Sequence, residues 1–158
     1  MAVRKAEMIE RKITMIRQMQ KCDIPACAEI LCAVYNNEMW QCHWTMETGI
    51  AYLEDYFEAK KFVGFVSEEN GKIIGAMFAH EKIWWNNSEL YIDEMFILPE
   101  KQRSGYGSML INAADEYLKE HSLAGLTLCT NKYAPAPNFY RRNGFADNEF
   151  IMFMYKEV

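Results

Sequence analysis

Residues 91–108 read Tyr91-Ile92-Asp93-Glu94-Met95-Phe96-Ile97-Leu98-Pro99-Glu100-Lys101-Gln102-Arg103-Ser104-Gly105-Tyr106-Gly107-Ser108. The stretch begins as a run of strand formers, stops at a proline and enters a turn with two glycines. A helical pattern follows, with Met109, Leu110, Ala113, Ala114, Tyr117 and Leu118 on one face, to about His121. Strand, glycine turn and helix start fall within about 30 residues. Such a turn suits an anion. Glycines let the backbone approach a phosphate, and the first N–H groups of the helix point at it.

Two nucleotide signatures fail on this turn. A P-loop needs a lysine directly after its last glycine, and Ser108 follows Gly107. A dinucleotide fingerprint needs a third glycine where Leu110 stands. A turn that only connects strand to helix remains the plain structural alternative.

Outward from the turn, the rest of the chain reads as one domain. Residues 1–11 form a charged lead-in or a partner contact, and 13–19 a first strand. Asp23 is placed to cap a helix with Pro25 in its first turn, running to about Asn37. A loop with Trp40, His43 and Trp44 leads to Thr45, which with Thr48 starts a second helix to about Lys60. Segments 62–67 and 72–79 read as strands around the hairpin signal Asn70-Gly71. The second strand extends through His80 toward Trp84 and Trp85, and Glu89–Leu98 is the next strand. Segment 126–130 is another strand, 137–143 a short helix closed by Gly144, and 146–155 a final strand. This order predicts a mixed α/β (α+β) fold, with helices flanking a central sheet.

The chain has 158 residues, 51% hydrophobic and 25% charged, which fits a globular domain with a real core. A net charge of −5 argues against nucleic acid and is compatible with a cationic substrate. No apolar run has the ~18–20 residues needed to cross a bilayer, so no membrane role is expected. The start lacks the apolar stretch of a secretory signal, and a cytoplasmic protein is the expectation. Cys22, Cys27, Cys32, Cys42 and Cys129 show no Cys-x-x-Cys pair and read as reduced, buried thiols. His43, His80 and His121 lack metal-ligand spacing, so no metal is expected.

Taken together, the C-terminal motifs resemble the GNAT superfamily of acyl-CoA-dependent N-acyltransferases. Gln102, Gly105 and Gly107 match that family's phosphate turn, Pro99 precedes it, and Phe139-Tyr140 stand before Gly144-Phe145 as its aromatic pair does. The resemblance covers roughly residues 13–155. It implies the GNAT fold, with a mostly antiparallel mixed sheet, and acetyl-CoA as donor.

The resemblance also implies site roles. Backbone N–H groups of Gln102, Arg103, Ser104, Gly105, Tyr106, Gly107 and Ser108 hold the pyrophosphate. The pantetheine arm lies along Met95, Phe96 and Ile97, one of whose N–H groups polarises the thioester carbonyl. Asn131 is a further pantetheine contact, although Tyr133 occupies the position where the family's spacing puts its asparagine. Tyr140 protonates the departing thiolate.

The base is Asp93 or Glu94, which strict alternation places on opposite faces of the strand. Resemblance to aminoglycoside 6'-N-acetyltransferases favours Asp93, nine residues before Gln102. Trp40, Trp44, Trp84 and Trp85 flank the acceptor site in this family and suit a cationic amine. Glu38, Glu47 and Glu81 are further acidic candidates.

The expected activity is acetyl transfer from acetyl-CoA to a primary amine by direct attack in a ternary complex. A small cationic acceptor leads, an aminoglycoside among them. A protein or peptide N-acetyltransferase and an inactive CoA-binding regulatory domain are the alternatives. A homodimer is the assembly that analogy with the family allows.

Overall fold

The computed structural model describes residues 13–157, so the reading of 1–11 as a lead-in lies outside the described residues. Five strands form one sheet in sequence order: β1 (Thr14–Gln18), β2 (Phe62–Glu69), β3 (Lys72–Ile83), β4 (Ser88–Ile97) and β5 (Leu126–Leu128). Strands β1 to β4 are antiparallel, and β5 joins β4 in parallel. Among the described residues four α-helices flank the sheet: α1 (Ile24–Tyr35), α2 (Met46–Phe57), α3 (Tyr106–His121) and α4 (Ala136–Arg142). The mixed, mostly antiparallel sheet expected from the sequence is present.

Local chemistry explains the boundaries. Asn70 and Gly71 both take positive φ, 52° and 76°, as a tight hairpin between right-twisted strands requires. Thr45 caps α2 by accepting from the Thr48 N–H at 3.1 Å, and the Thr48 hydroxyl accepts from the Thr45 N–H at 3.0 Å.

The core lies on both faces of the sheet. On one face Phe78 and Phe96 pack with Ile24, Leu31 and Leu53 from α1 and α2. On the other, Met77, Leu90 and Ile92 pack with Leu110, Ile111 and Ala114 from α3.

Four expectations are corrected. Asp23 does not cap α1 with its side chain. Its carboxylate instead accepts two hydrogen bonds from the Arg17 guanidinium, at 2.8 and 2.9 Å, and one from the Gln20 N–H at 2.7 Å. That bidentate ion pair holds the Asp23 carboxyl below the usual range. Among the cysteines only Cys27 is buried, while Cys22 and Cys129 are exposed. Strand β5 ends at Leu128, short of Cys129.

The largest departure is at the C-terminal side. Residues 146–157 form no strand. Six consecutive large apolar residues there, Phe150 to Tyr155, are 71–94% exposed. The residues have strand propensity, but no strand pairs with them.

Candidate active site

Strands β4 and β5 pair only where Leu90, Tyr91 and Ile92 meet Leu126, Thr127 and Leu128. Beyond Ile92 the ladder stops, and a cleft of about 1290 Å³ lies between the rest of β4, the segment after β5 and helices α1, α3 and α4. The cleft is the product of a parallel pair that separates early.

One end of the cleft is an N-terminal helix turn. Pro99–Lys101 make a short 3-10 turn, and Gly105 is the residue that precedes α3. Arg103 and Gly105 both have positive φ, 59° and 89°. The N–H groups of Tyr106, Gly107 and Ser108 precede any intrahelical acceptor. The Met109 N–H is the first satisfied, by the Gly105 carbonyl at 3.0 Å. Gln102 fixes the turn to the strand by donating from Nε2 to the Ile97 carbonyl at 3.0 Å.

The two glycines differ in what they require. A Cβ on Gly105 would meet nothing within 4 Å, so its left-handed backbone is the constraint. A Cβ on Gly107 would lie 2.9 Å from the Phe139 ring. Gly107 is thus needed for packing against the aromatic pair, irrespective of any bound phosphate.

Side chains around the turn divide accordingly. Gln102, Arg103, Gly105, Gly107 and Ser108 line the cleft, and Ser104 and Tyr106 do not. The Tyr106 ring is buried and its hydroxyl donates to Glu69, which also pairs with Lys101. Only the backbone of Tyr106 is available to a ligand at the turn.

The middle of the cleft carries the two carboxylates, and here alternation fails. Phe78 pairs with Glu94, but the next residue, Ala79, pairs with Ile92. Asp93 is the extra residue of a β-bulge. Leu90 and Ile92 face α3, alternation turns Asp93 to the opposite side, and the bulge brings Glu94 to the cleft beside it. The expectation that the two point to opposite faces is therefore wrong, because a bulge shifts the period by one residue.

Their surroundings differ. Asp93 Oδ2 lies 2.7 Å from His80 Nδ1, from the neighbouring strand. Burial raises the Asp93 pKa, and His80 opposes that shift. Glu94 accepts from two phenols, Tyr52 at 2.6 Å and Tyr35 at 3.0 Å. Burial raises its pKa too, the two phenols oppose this, and the Asp93 charge adds to the rise. Glu94 has two of its acceptor sites occupied by tyrosines of α1 and α2.

Tyr140 stands on α4 between Phe139 and Phe145, at ring distances of 5.2 and 5.3 Å. Burial and then the charge of Glu94 push its phenol up to about 12. It stays protonated through neutral pH, as a proton donor must. Asn131 lines the cleft, but its Oδ1 accepts from the Tyr133 N–H at 2.9 Å, a local turn bond.

The four tryptophans separate. Trp40 packs edge-on against Tyr35 at 5.3 Å and Trp44 against Tyr52 at 4.7 Å, and both line the cleft. Trp84 and Trp85, at the end of β3, are 60% and 87% exposed and do not line it. Of the other acidic candidates, Glu81 accepts from Tyr117 at 2.7 Å and pairs with Lys61, away from the cleft. Glu38 and Glu47 are exposed and are not part of its lining either.

Sequence reasoning missed His80, Tyr35 and Tyr52 as members of the site. For His80 a signal was present: it falls in the strand before the acidic pair, at a hairpin register that brings the two together. For the tyrosines no local signal exists, since their contact with Glu94 depends on how α1 and α2 pack.

Comparisons with known proteins bear on the family and the fold. The model of the acetyltransferase (GNAT) family matches residues 27–145. The uncharacterized N-acetyltransferase YhfO of Bacillus subtilis is 28% identical over 101 residues, covering 62% of this chain and 68% of that protein. The uncharacterized N-acetyltransferase MJ1207 of Methanocaldococcus jannaschii is 32% identical over 117 residues, 71% of this chain. This chain covers only 46% of that second relative's length.

Among solved structures, the aminoglycoside N-acetyltransferase AAC(6')-Iy in complex with CoA superposes with a TM-score of 0.74 at 18% identity, covering 95% of this chain and 99% of that one. An aminoglycoside acetyltransferase from an uncultured soil metagenomic sample, in complex with sisomicin, gives 0.72 at 20% identity, covering 92% and 97%. At such identities these two likenesses speak for the fold. With three quarters of its length matched by the family model, the chain belongs to the GNAT family of acetyltransferases.

Proposed function

We propose that this acetyl-CoA-dependent N-acetyltransferase acts on a small cationic amine, with Asp93 as its base or ammonium anchor. The observation that carries this reading is the half-buried Asp93 carboxylate, which lines the cleft with a single histidine partner beside the bulge in β4.

The donor reading rests on fit. A helix turn with three N–H groups in need of acceptors suits a pyrophosphate, and a helix dipole favours the same charge. The early separation of β4 from β5 frees backbone groups along Met95, Phe96 and Ile97 for a pantetheine arm. When bound, the donor supplies an activated acetyl thioester. A strand N–H among those three residues would stabilise the charge that develops on its carbonyl oxygen.

The chain's own residues would meet the remaining needs. A lysine-like amine has a pKa near ~10.4, so only about one in ~2,500 is neutral at pH 7, a cost of ~4.6 kcal/mol. Asp93 attracts the ammonium and takes up its proton, directly or through water. His80 holds the Asp93 carboxylate in place. Glu94 keeps a negative charge nearby while bound to Tyr35 and Tyr52, which suits it to attracting a cation more than to moving a proton. Tyr140 returns a proton to the departing thiolate. Trp40 and Trp44 wall the acceptor end, where an aromatic face favours a cation.

Aminoglycosides fit these features, as do polyamines. Peptide acetylation is the second reading, favoured by the open, aromatic mouth of the cleft. A thiol-release assay with acetyl-CoA and a panel of aminoglycosides, polyamines and peptides separates them. Turnover of small polycations is expected. Turnover of peptides alone would overturn the acceptor assignment, and tight CoA binding without turnover of any amine would favour a regulatory domain.

A further inference from the structure

We propose that Glu69, which does not line the cleft, is a positioning residue for donor binding, given the pyrophosphate site proposed above at the turn after β4. The observation is a pair of contacts made by one buried carboxylate. The Tyr106 hydroxyl donates to Glu69 Oε1, and the Lys101 ammonium pairs with Oε2. Lys101 and Tyr106 are the residues immediately before and after the turn 102–105. Glu69 thus ties both ends of the turn to the end of β2.

The turn needs such a hold. Arg103 and Gly105 both have positive φ, and a non-glycine residue stays in the left-handed region only when its surroundings keep it there. Among the described residues, no N–H of Arg103, Ser104 or Gly105 donates to a backbone carbonyl. Gln102 fastens the start of the turn to β4 through the Ile97 carbonyl. Glu69 adds a second strand as anchor and reaches the far end as well.

The Tyr106 contact bears on the anion site directly. Its buried ring does not line the cleft, while its N–H is the first of the three that precede any intrahelical acceptor. Fixing the phenol fixes the rotation of the first helical residue. The aim of the N–H groups of Tyr106, Gly107 and Ser108 follows from it.

The anchor itself is a fixed point of the sheet. Phe65 packs in the α3-face core, and alternation sends Glu69 to the same face four residues on. Its backbone pairs with Thr14 of β1 and Lys72 of β3. A buried ion pair is a poor device for stability alone, since apolar residues of similar volume often serve as well or better. What a carboxylate adds is direction: it draws two donors from different elements to one point.

Variants of the full chain test the role, with CoA and acetyl-CoA as probes. Glu69→Gln keeps the shape and removes the charge. It should raise Kd for CoA and KM for acetyl-CoA roughly ten-fold, the effect of one charge-assisted hydrogen bond. At saturating donor, kcat should change by less than about two-fold, which a general loss of structure would not spare. Tyr106→Phe is the milder variant and should move the same two constants in the same direction. In the double variant the losses should fall short of their sum, because both substitutions weaken one contact. Additive losses, or an unchanged KM for acetyl-CoA in Tyr106→Phe, would overturn the proposal even if Glu69→Gln failed to fold. Gly105→Ala probes the pyrophosphate site independently. Weaker CoA binding in Gly105→Ala beside wild-type affinity in Glu69→Gln would overturn the role of Glu69 and leave that site standing. Wild-type affinity in both would overturn the site and the role together. Tighter CoA binding in Glu69→Gln would mean that Glu69 withholds Lys101 from phosphate, and would also contradict the proposal.

Discussion

Asp93 Oδ2 stands 2.7 Å from His80 Nδ1, across the hairpin formed by β3 and β4. His80 pairs with Tyr91, and Asp93 follows Ile92 onto the same side of the sheet as that pair. Continued regularly from Ile92, the strand would have sent Glu94 to the far face, and the bulge keeps it beside Asp93. One extra residue in the ladder thus sets the two carboxylates side by side in the cleft.

The pH dependence follows from that pair. Asp93 must be ionised to take a proton, and burial holds its pKa above the ordinary range while His80 draws it down. The rate at low substrate should fall as pH drops through this raised value. His80→Ala removes the opposing partner, so the acidic limb of kcat/KM should move to higher pH. A limb that stays in place after His80→Ala would show that another group controls it.

Tyr140→Phe should lower kcat by about 10²–10⁴-fold if proton donation to the thiolate limits turnover. Affinity for CoA, measured by calorimetry, should remain nearly unchanged. The phenol pKa of about 12 also means that the basic limb of the profile should not come from Tyr140 below that pH. Unchanged turnover would remove Tyr140 from the mechanism.

The two glycines of the turn should fail differently. Gly107→Ala drives a methyl into the Phe139 ring, which has little room to move beside Tyr140. Overpacking of this kind costs about 1–3 kcal/mol. It should lower Tm and kcat together. Gly105→Ala meets no atom but carries the left-handed backbone, at about 1–2 kcal/mol. Its main effect should be weaker CoA binding, measurable by calorimetry.

Glu94 gives a stability test. Its folded pKa is raised, chiefly by burial, so its contribution is fully present below the unfolded value and is lost as pH rises through the folded one. Denaturant titrations should therefore show wild type losing stability relative to Glu94→Gln over that rise. Tyr52→Phe removes one donor to a half-buried carboxylate and should cost about 1.5–3 kcal/mol near neutral pH. Equal pH slopes for wild type and Glu94→Gln would contradict the assignment.

Trp44→Ala should raise KM for a cationic acceptor by roughly two- to thirty-fold, the range of a cation–π contact. Trp85→Ala should leave it unchanged, since that ring is 87% exposed and outside the cleft. Equal effects from the two substitutions, read in steady-state kinetics, would place the acceptor elsewhere.

Much of this architecture was legible before the structure. The change from strand to helix across Pro99–Ser108 is written in a shift of apolar period and two glycines. Asn70-Gly71 and Thr45 with Thr48 announce a hairpin and a cap through local chemistry. What was not legible depends on pairing. The bulge is a mismatch between β3 and β4, and both Asp93 and Glu94 suit either register. His80 acquires a role only once that register is known. Gly107 is explained by Phe139, which another helix brings to it. Residues 150–155 have the composition of a strand, but composition names no partner strand.

The most direct test of the account is kcat for Asp93→Asn beside Glu94→Gln, with acetyl-CoA and whichever small cationic amine wild type turns over. Asp93→Asn should lose about 10²–10⁴-fold, the range of a positioned general base, and Glu94→Gln much less. Equal losses, or a greater loss for Glu94→Gln, would contradict the assignment of Asp93 as the group that takes the proton.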